Sequence, residues 1–269
     1  MVQTDPEVQR QYHDASNLEA RKRLHARFST NPNWARWVFD HLTLAADARV
    51  LELGCGTGEL WAINHDRIGS GWKVMLTDLS PGMLGRARRE LASLGRAIDC
   101  AVADAQAIPL LDETVDAVIA NHMLYHVPDI ALAVAQVRRV LKRDGRLYAA
   151  TNGADHMIEL RQIVRDVAPD LPFARRAGTA RAFGLENGSD ILAAVFTDVE
   201  LRRFDNGLRV TESQALIDYV LSLPKAPERM TPARVDALRS ELERRIDAER
   251  GLRITLSVGL FIAHGAACT

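Results

Sequence analysis

The segment from Val50 to Leu60 constrains this chain more than any other, because an apolar run passes directly into Gly54, Gly56 and Gly58 and out again at Leu60. Such a run reads as a buried strand, a tight turn with no Cβ in the way of a ligand, and the start of a helix. The spacing is G-x-G-x-G followed by Glu59, not the G-x-G-x-x-G that seats a pyrophosphate on a helix start, and an acidic Glu59 disfavours a diphosphate. Preceded by Glu52, the loop suits a ligand with a ribose and a zwitterionic amino-acid tail.

The apolar pattern predicts strands over Arg49–Leu53, Lys73–Thr77, Ile98–Ala103, Val115–Ala120 and Gly145–Thr151. Helices are expected over Gly58–Arg67, from Pro81 onward and over Pro128–Leu141, the second with Ser80 as N-cap and Met83, Leu84, Ala87, Leu91 and Leu94 on its buried face. Strands alternating with helices at these spacings require parallel pairing and right-handed crossovers, hence a doubly wound α/β sheet. Farther on, Val199–Phe204 and Leu208–Thr211 flank Asp205-Asn206-Gly207 as a hairpin-like pair, and Ile254–Ala263 reads as one final strand. A helix capped by Thr231 with Pro232 at its first position carries the stripe Val235, Leu238, Leu242 and Ile246.

Five blocks in order resemble the class I S-adenosylmethionine-dependent methyltransferases, specifically the methyltransferase type 11 branch. They are Leu51 to Gly58, Leu76 to Leu84, Ala103 to Ala105, Asp116 to Asp129 and Arg139 to Gly145. The resemblance implies a Rossmann-like seven-stranded sheet, mostly parallel, with an antiparallel C-terminal strand pair and a helical cap. On this view residues 1–269 are a single domain: an N-terminal helical cap over 1–45, a cofactor-binding core over 46–152, cap insertions over 153–190 and 212–250, and final strands within 195–211 and 252–265. Arg143-Asp144-Gly145 departs from the Pro-Gly-Gly the family often carries there, and Asp144 is expected to accept a left-handed turn.

The cofactor implied is S-adenosyl-L-methionine, with S-adenosyl-L-homocysteine as product. Asp78, at the end of the second strand, is placed to accept from the ribose hydroxyls. Asp104 matches the family residue that accepts from the adenine amino group, with Ala105 and Gln106 beside the ring. Glu52 either orders the loop amides or faces the cofactor's ammonium, while Cys55 is a small packing residue at the loop. Thr57, Leu79 and Met83 join it as lining residues, with Tyr12 from the cap by resemblance. After the fourth strand, Asn121, His122 and His126 stand where acceptor meets cofactor, and Asn121 also borders the cofactor. His126, with an ordinary pKa near 6.5, is the candidate general base, and the alternative is a structural histidine that organises the loop. No Asn-Pro-Pro-Tyr motif follows Asn121, which argues against amide or exocyclic-base methylation. No metal is expected, since His122 and His126 lack a third ligand at usual spacing.

The remaining exclusions come from composition. A formal net charge of -1 gives no field for nucleic acid. The 3 cysteines, Cys55, Cys100 and Cys268, form no C-x-x-C pair, and no apolar run approaches a membrane span, so a cytoplasmic monomer or homodimer is expected. The leading reading is methyl transfer to an N, O or C atom of a small-molecule acceptor. The alternatives are an RNA or protein methyltransferase, for which Arg175, Arg176 and Arg181 are a thin basic patch, and a non-catalytic cofactor-binding protein. The segment from Arg175 to Gly188, rich in glycine and arginine, is expected to be an exposed closing loop.

Overall fold

Residues 15–95, 98–174 and 178–267 are described in the computed structural model of the chain. In order come α1 (Ala15–Phe28), α2 (Trp34–Asp40), β1 (Arg49–Leu53), α3 (Glu59–Ile63), β2 (Lys73–Asp78), α4 (Pro81–Ser93) and β3 (Asp99–Val102). Then follow β4 (Val115–Asn121), α5 (Ile130–Val140), β5 (Leu141–Asn152), α6 (Ile158–Val167), α7 (Gly178–Ala182), α8 (Gly188–Ala193) and β6 (Asp198–Phe204). The chain continues through β7 (Gly207–Val210), α9 (Ser213–Leu221), α10 (Ala226–Arg229), α11 (Pro232–Glu249), β8 (Leu252–Thr255) and β9 (Val258–His264).

Among the described residues a seven-stranded sheet runs β3-β2-β1-β4-β5-β9-β6. β1 to β5 pair in parallel, and β9 lies antiparallel between β5 and β6. β1 and β4 are apolar on both faces because helices cover both sides, as a parallel sheet demands. Val38, Trp61, Leu84 and Leu91 fill one face, while Val134, Val137, Leu192 and Phe196 fill the other. The strand order reverses between β1 and β4, and there the carboxyl ends of the strands leave the crevice that open α/β sheets use for ligands.

A separate core forms the cap, with Leu24 and Phe28 of α1, Leu160 and Ile163 of α6, Leu216 and Val220 of α9, and Leu238 and Leu242 of α11. Thr231 caps α11 as its hydroxyl accepts from the Arg234 amide at 3.4 Å, and Ser80 caps α4 through the Met83 amide at 3.3 Å.

Several sequence expectations are corrected. β6 and β7 do not form a hairpin, since β6 pairs with β9 in the large sheet and β7 with β8 in a small one. Asn206 explains the crossing: its Oδ1 accepts from the Ser29 hydroxyl at 2.9 Å and the Asn31 amide at 3.0 Å, so Asp205 to Gly207 is tied to the end of α1 instead of reversing on itself. The run Ile254 to Ala263 likewise splits into β8 and β9, because Leu256 and Ser257 carry the chain from one sheet to the other. Asp144 takes no left-handed turn. β5 leaves α5 directly and bulges, with Lys142 to Gly145 opposite Asp116 alone and Lys142 Nζ 2.7 Å from Asp116 Oδ1.

The helix expected over Gly58–Arg67 ends at Ile63, followed by a short 3₁₀ turn over His65–Arg67. The segment expected to be an exposed loop is built into the fold from Gly178 on: α7 is followed by buried Phe183 and Leu185, and Gly188 packs so tightly that a Cβ there would stand 2.4 Å from the Phe261 ring. The insertion therefore divides, its first part joining the cap core through α6 and its second part covering the sheet through Phe183 and Leu192. Tyr12, Arg175, Arg176 and Cys268 lie outside the described residues.

Candidate active site

The glycine turn has the conformation its residues suggest. Gly54 and Gly56 both have positive φ, 63° and 55°, a region open to glycine at little cost. Their side-chain positions differ in purpose: a Cβ on Gly54 would stand 2.7 Å from the Met123 Cβ, whereas one on Gly56 would meet nothing within 4 Å. Gly54 lets β1 and the β4 exit approach each other, and Gly56 keeps space clear above the turn. Gly58 packs against Ala87 of α4, and the buried Cys55 thiol is pushed up, foremost by burial, which suits packing and not nucleophilic work.

Asp78 organises this turn. Its Oδ2 accepts from the Gly56 amide at 2.9 Å and its Oδ1 from the Ser80 amide at 2.8 Å, leaving a lone pair on each oxygen for further donors. Burial raises its pKa and the two amides oppose that rise. Glu52 does not order the loop amides, contrary to one of the two roles expected of it. Buried under the turn, it accepts at Oε2 from the Trp61 indole at 2.7 Å and at Oε1 from the Asn121 amide group at 3.5 Å. Burial pushes it up to about 7 despite both bonds. Asn121 Oδ1 is buried without any donor, an arrangement that costs free energy unless a ligand supplies one.

On the neighbouring strand end, Asp104 makes a tight turn in which its carboxylate accepts from the Gln106 amide at 2.8 Å and side chain at 3.2 Å. Gln106 Oε1 in turn accepts from the Asp129 amide at 3.1 Å, which ties this turn to the N-cap of α5. Ala105 is buried inward, so only its backbone can border a ligand. Leu79 is 43% exposed beside Asp78, whereas Met83 is buried in the first turn of α4. Thr57 meets the cap, its hydroxyl accepting from Lys22 Nζ at 3.3 Å while the same ammonium pairs with Glu59 at 2.6 Å.

Past β4, His122 has a positive φ of 53°, so the two histidines are not stacked on one helical turn; only Leu124–His126 forms a 3₁₀ turn. The His122 ring lies 5.3 Å from Trp34, and the His126 ring 4.6 Å from Tyr125. His126 does not keep an ordinary pKa: burial, then the Arg21 charge, brings it down to about 4. His122 also falls to about 4, by burial and then by His25 and His126. Both rings are therefore neutral at pH 7.

The sequence reading singled out neither Arg21, Arg161 nor His156, which the fold brings to the same edge. His156 follows β5, and its ring is hydrogen-bonded to the Ser257 backbone with Nδ1 buried and unpartnered. A polar residue just past a strand's carboxyl end was the available signal; Arg161, within the apolar face of α6, was another. A groove of about 520 Å³ near Arg146, Asp198 and His264 is lined by none of the glycine-loop residues.

A family profile described as "Methyltransferase domain" matches residues 51–149, the stretch that holds the glycine turn, Asp78, Asp104 and the β4 exit. Over these residues the chain is similar to the methyltransferase-domain family. The chain is 33% identical over 122 residues to the ubiquinone/menaquinone biosynthesis C-methyltransferase UbiE of Cronobacter sakazakii, covering 45% of this chain and 49% of that protein. The UbiE protein of Desulfotalea psychrophila is 36% identical over 113 residues, 42% of this chain and 45% of that one. The chain thus spans about half the length of the curated relatives it matches.

Among solved structures, the YcgJ protein of Bacillus subtilis superposes with a TM-score of 0.59 at 16% identity over 88% of this chain and 100% of that one. Phosphoethanolamine N-methyltransferase 2 of Haemonchus contortus, in complex with S-adenosyl-L-methionine, gives 0.61 at 16% identity over 99% of this chain and 61% of that one. These likenesses concern the fold.

The site fits the family's cofactor on its own terms. Asp78 offers carboxylate lone pairs where hydroxyls would arrive, Asn121 Oδ1 needs a donor such as an ammonium, and Gly56 leaves its flank open.

Proposed function

We propose that this chain transfers a methyl group from S-adenosylmethionine to an N, O or C atom of a small-molecule acceptor held between the sheet edge and the cap. The observation that carries this reading is the unpartnered Asn121 Oδ1 beside Glu52, next to a glycine turn held open by Asp78. Asp78 would receive the ribose hydroxyls, Asn121 and Glu52 the ammonium, and the Asp104 turn with Gln106 the adenine. The cofactor supplies a methyl group made electrophilic by its attachment to a sulfonium.

The chain's own residues supply alignment and exclusion of water. Orienting two reactants can be worth effective molarities of about 10⁵ to 10⁸ M, which makes positioning the main contribution. Neutral His122 and His126 can accept a hydrogen bond from an acceptor hydroxyl or amine. Proton removal by a ring titrating near 4 is weak at neutral pH, so His126 orients the acceptor and takes a proton only as the bond forms. The thiols of Cys55 and Cys100 are free, which supports a reducing, cytoplasmic setting. No helix among the described residues is long and apolar enough to cross a membrane.

The test is transfer of labelled methyl from S-adenosylmethionine into fractionated cell metabolites and, separately, into tRNA and protein. Label in the metabolite fraction supports the reading, label in tRNA or protein favours the macromolecular alternative, and no label with intact cofactor binding favours a non-catalytic binder.

A further inference from the structure

We propose that the acceptor is a small molecule bearing an anionic group, a carboxylate or a phosphate, which the Arg21 guanidinium receives while the acceptor body lies against Trp34 and His122. This rests on the methyl-transfer reading and names the acceptor class of the same site.

The placement follows from α1. Arg21, Leu24, His25 and Phe28 are spaced i, i+3, i+4 and i+7 and share one helix face, on which Leu24 and Phe28 enter the cap core while Arg21 and His25 stay half-buried. Lys22 anchors α1 itself beside the glycine turn through Thr57 and Glu59. The electrostatics of the β4 exit agree with this placement: after burial, His25 helps to lower His122 and the Arg21 charge helps to lower His126.

Arg21 is spent on neutral groups. Its Nη2 donates to the Ser222 carbonyl at 2.7 Å and its Nε to the Ser222 hydroxyl at 3.3 Å. Among the described residues it pairs with no carboxylate, unlike Lys22 with Glu59, Arg67 with Asp40 or Arg139 with Asp112. Among the described residues nothing accepts from its Nη1, and a guanidinium fork matches the paired oxygens of a carboxylate or phosphate. A second cation is close by: Arg161 is 8% exposed, and its charge acts with that of Arg21 on the buried Tyr219 hydroxyl. Two fixed cations beside neutral histidines give this edge a positive potential although the chain as a whole carries a net charge of -1.

The neighbouring surface suits an organic body. Trp34 lies 5.3 Å from both His122 and Phe204, and Tyr125 flanks His122 at 6.5 Å. His156 Nδ1, buried without a partner, is one more polar contact for it. A ring or short chain with a terminal anion uses all three features, whereas a wholly neutral acceptor leaves Arg21 facing nothing of opposite charge.

The probes are benzoate, phenyl phosphate and the neutral benzamide, titrated by calorimetry into protein saturated with S-adenosylhomocysteine. Either anion binds at least about tenfold more tightly than benzamide, and Arg21→Gln removes that preference with cofactor affinity kept within about twofold. Whichever anion binds more tightly tells carboxylate from phosphate. Because a substitution on α1 can loosen the cap, tryptophan fluorescence of the unmodified protein is a second readout, quenched by the anions and not by benzamide. Equal binding of the three probes, binding of none, or a preference that survives Arg21→Gln overturns the anionic acceptor while the methyl-transfer reading stands. Failure of S-adenosylhomocysteine itself to bind overturns both.

Discussion

Replacing Glu52 by glutamine is expected to stabilise the ligand-free protein at pH 8 while removing most of its affinity for the cofactor. Glutamine is nearly isosteric and still accepts from the Trp61 indole, and its amide nitrogen, standing where Oε1 now meets the Asn121 amide nitrogen, gains an acceptor once the Asn121 amide turns its Oδ1 towards it. What it removes is a buried charge. Glu52 is raised from its usual 4.5 to about 7, chiefly by burial, so the folded state holds the proton more tightly than the unfolded chain does. Its contribution to stability is therefore full below 4.5 and is lost as pH rises towards 7, the reverse of a salt-bridged carboxylate. At about 1.4 kcal/mol per pH unit, the ionised side chain costs about 3 kcal/mol at pH 8 and under about 1 kcal/mol at pH 5. For a chain of this size, Glu52→Gln should raise Tm by roughly 6 to 10 °C at pH 8 and by only a few degrees at pH 5.

The comparison has to be made between variants at each pH. His122, His126 and His156 are held down near 4, 4 and 3, so their contribution is present above 6.5 and lost as pH falls, a slope opposite to that of Glu52. Scanning calorimetry of both proteins at the two pH values gives the stability difference, and titration with S-adenosylhomocysteine gives the lost affinity. A glutamine variant that melts below the parent at both pH values, or gains equally at both, would refute the buried-charge argument. If it gains stability and binds cofactor normally, Glu52 has no part in holding the ammonium. The combination of gain and loss is the trade between stability and function expected where a site keeps an unfavourable charge for its ligand.

Three further outcomes follow from the same structure. Asp78→Ala should abolish most of the stabilisation by S-adenosylhomocysteine, which at 100 times Kd amounts to about 2.7 kcal/mol, and a thermal shift equal to the parent's would sink the ribose assignment. With His126 near 4 and Glu52 near 7, any limb in kcat/KM between pH 8 and 5 belongs to Glu52 and should persist in His126→Ala, which should raise KM more than it lowers kcat; an acid limb near 6.5 that vanishes in the variant would restore an ordinary histidine base. Gly188→Ala drives a methyl group to 2.4 Å from the Phe261 ring and should lower stability by about 1 to 3 kcal/mol in urea titrations, and a neutral result would show that this face of the sheet can yield.

The core was legible because its signals are local. Apolar runs at β1 and β4, the Ser80-Pro81 cap and the glycine spacing each depend on neighbours within a few residues, and each recurs in the structure at or near its expected place. The misreadings involve partners far away in sequence. Asp205-Asn206-Gly207 has a hairpin's composition, yet Asn206 is bound to the end of α1, 175 positions away in its bond to Asn31. Ile254 to Ala263 has one apolar pattern but pairs with two different sheets. Arg175 to Gly188 has a loop's composition, and nothing local shows that Gly188 must be small to admit Phe261. At the site Asp78 and Asn121 were read from strand-end position and Asp104 from the family resemblance, and the structure has them at or just past the carboxyl ends of β2, β4 and β3. Arg21, His156 and Arg161 were missed because only the cap's folding brings them together, and the depressed histidines could not be foreseen since burial is a tertiary property.

Calorimetric titration of the parent protein and Asp78→Ala with S-adenosylhomocysteine and with NADH measures whether the glycine turn and Asp78 hold an S-adenosyl ligand. One S-adenosylhomocysteine is expected to bind per chain, with an affinity at least about tenfold weaker in Asp78→Ala and no measurable NADH binding, because Glu59 stands where a pyrophosphate-binding turn has its third glycine. NADH binding more tightly than S-adenosylhomocysteine, or an Asp78→Ala variant that binds as the parent does, would contradict this expectation.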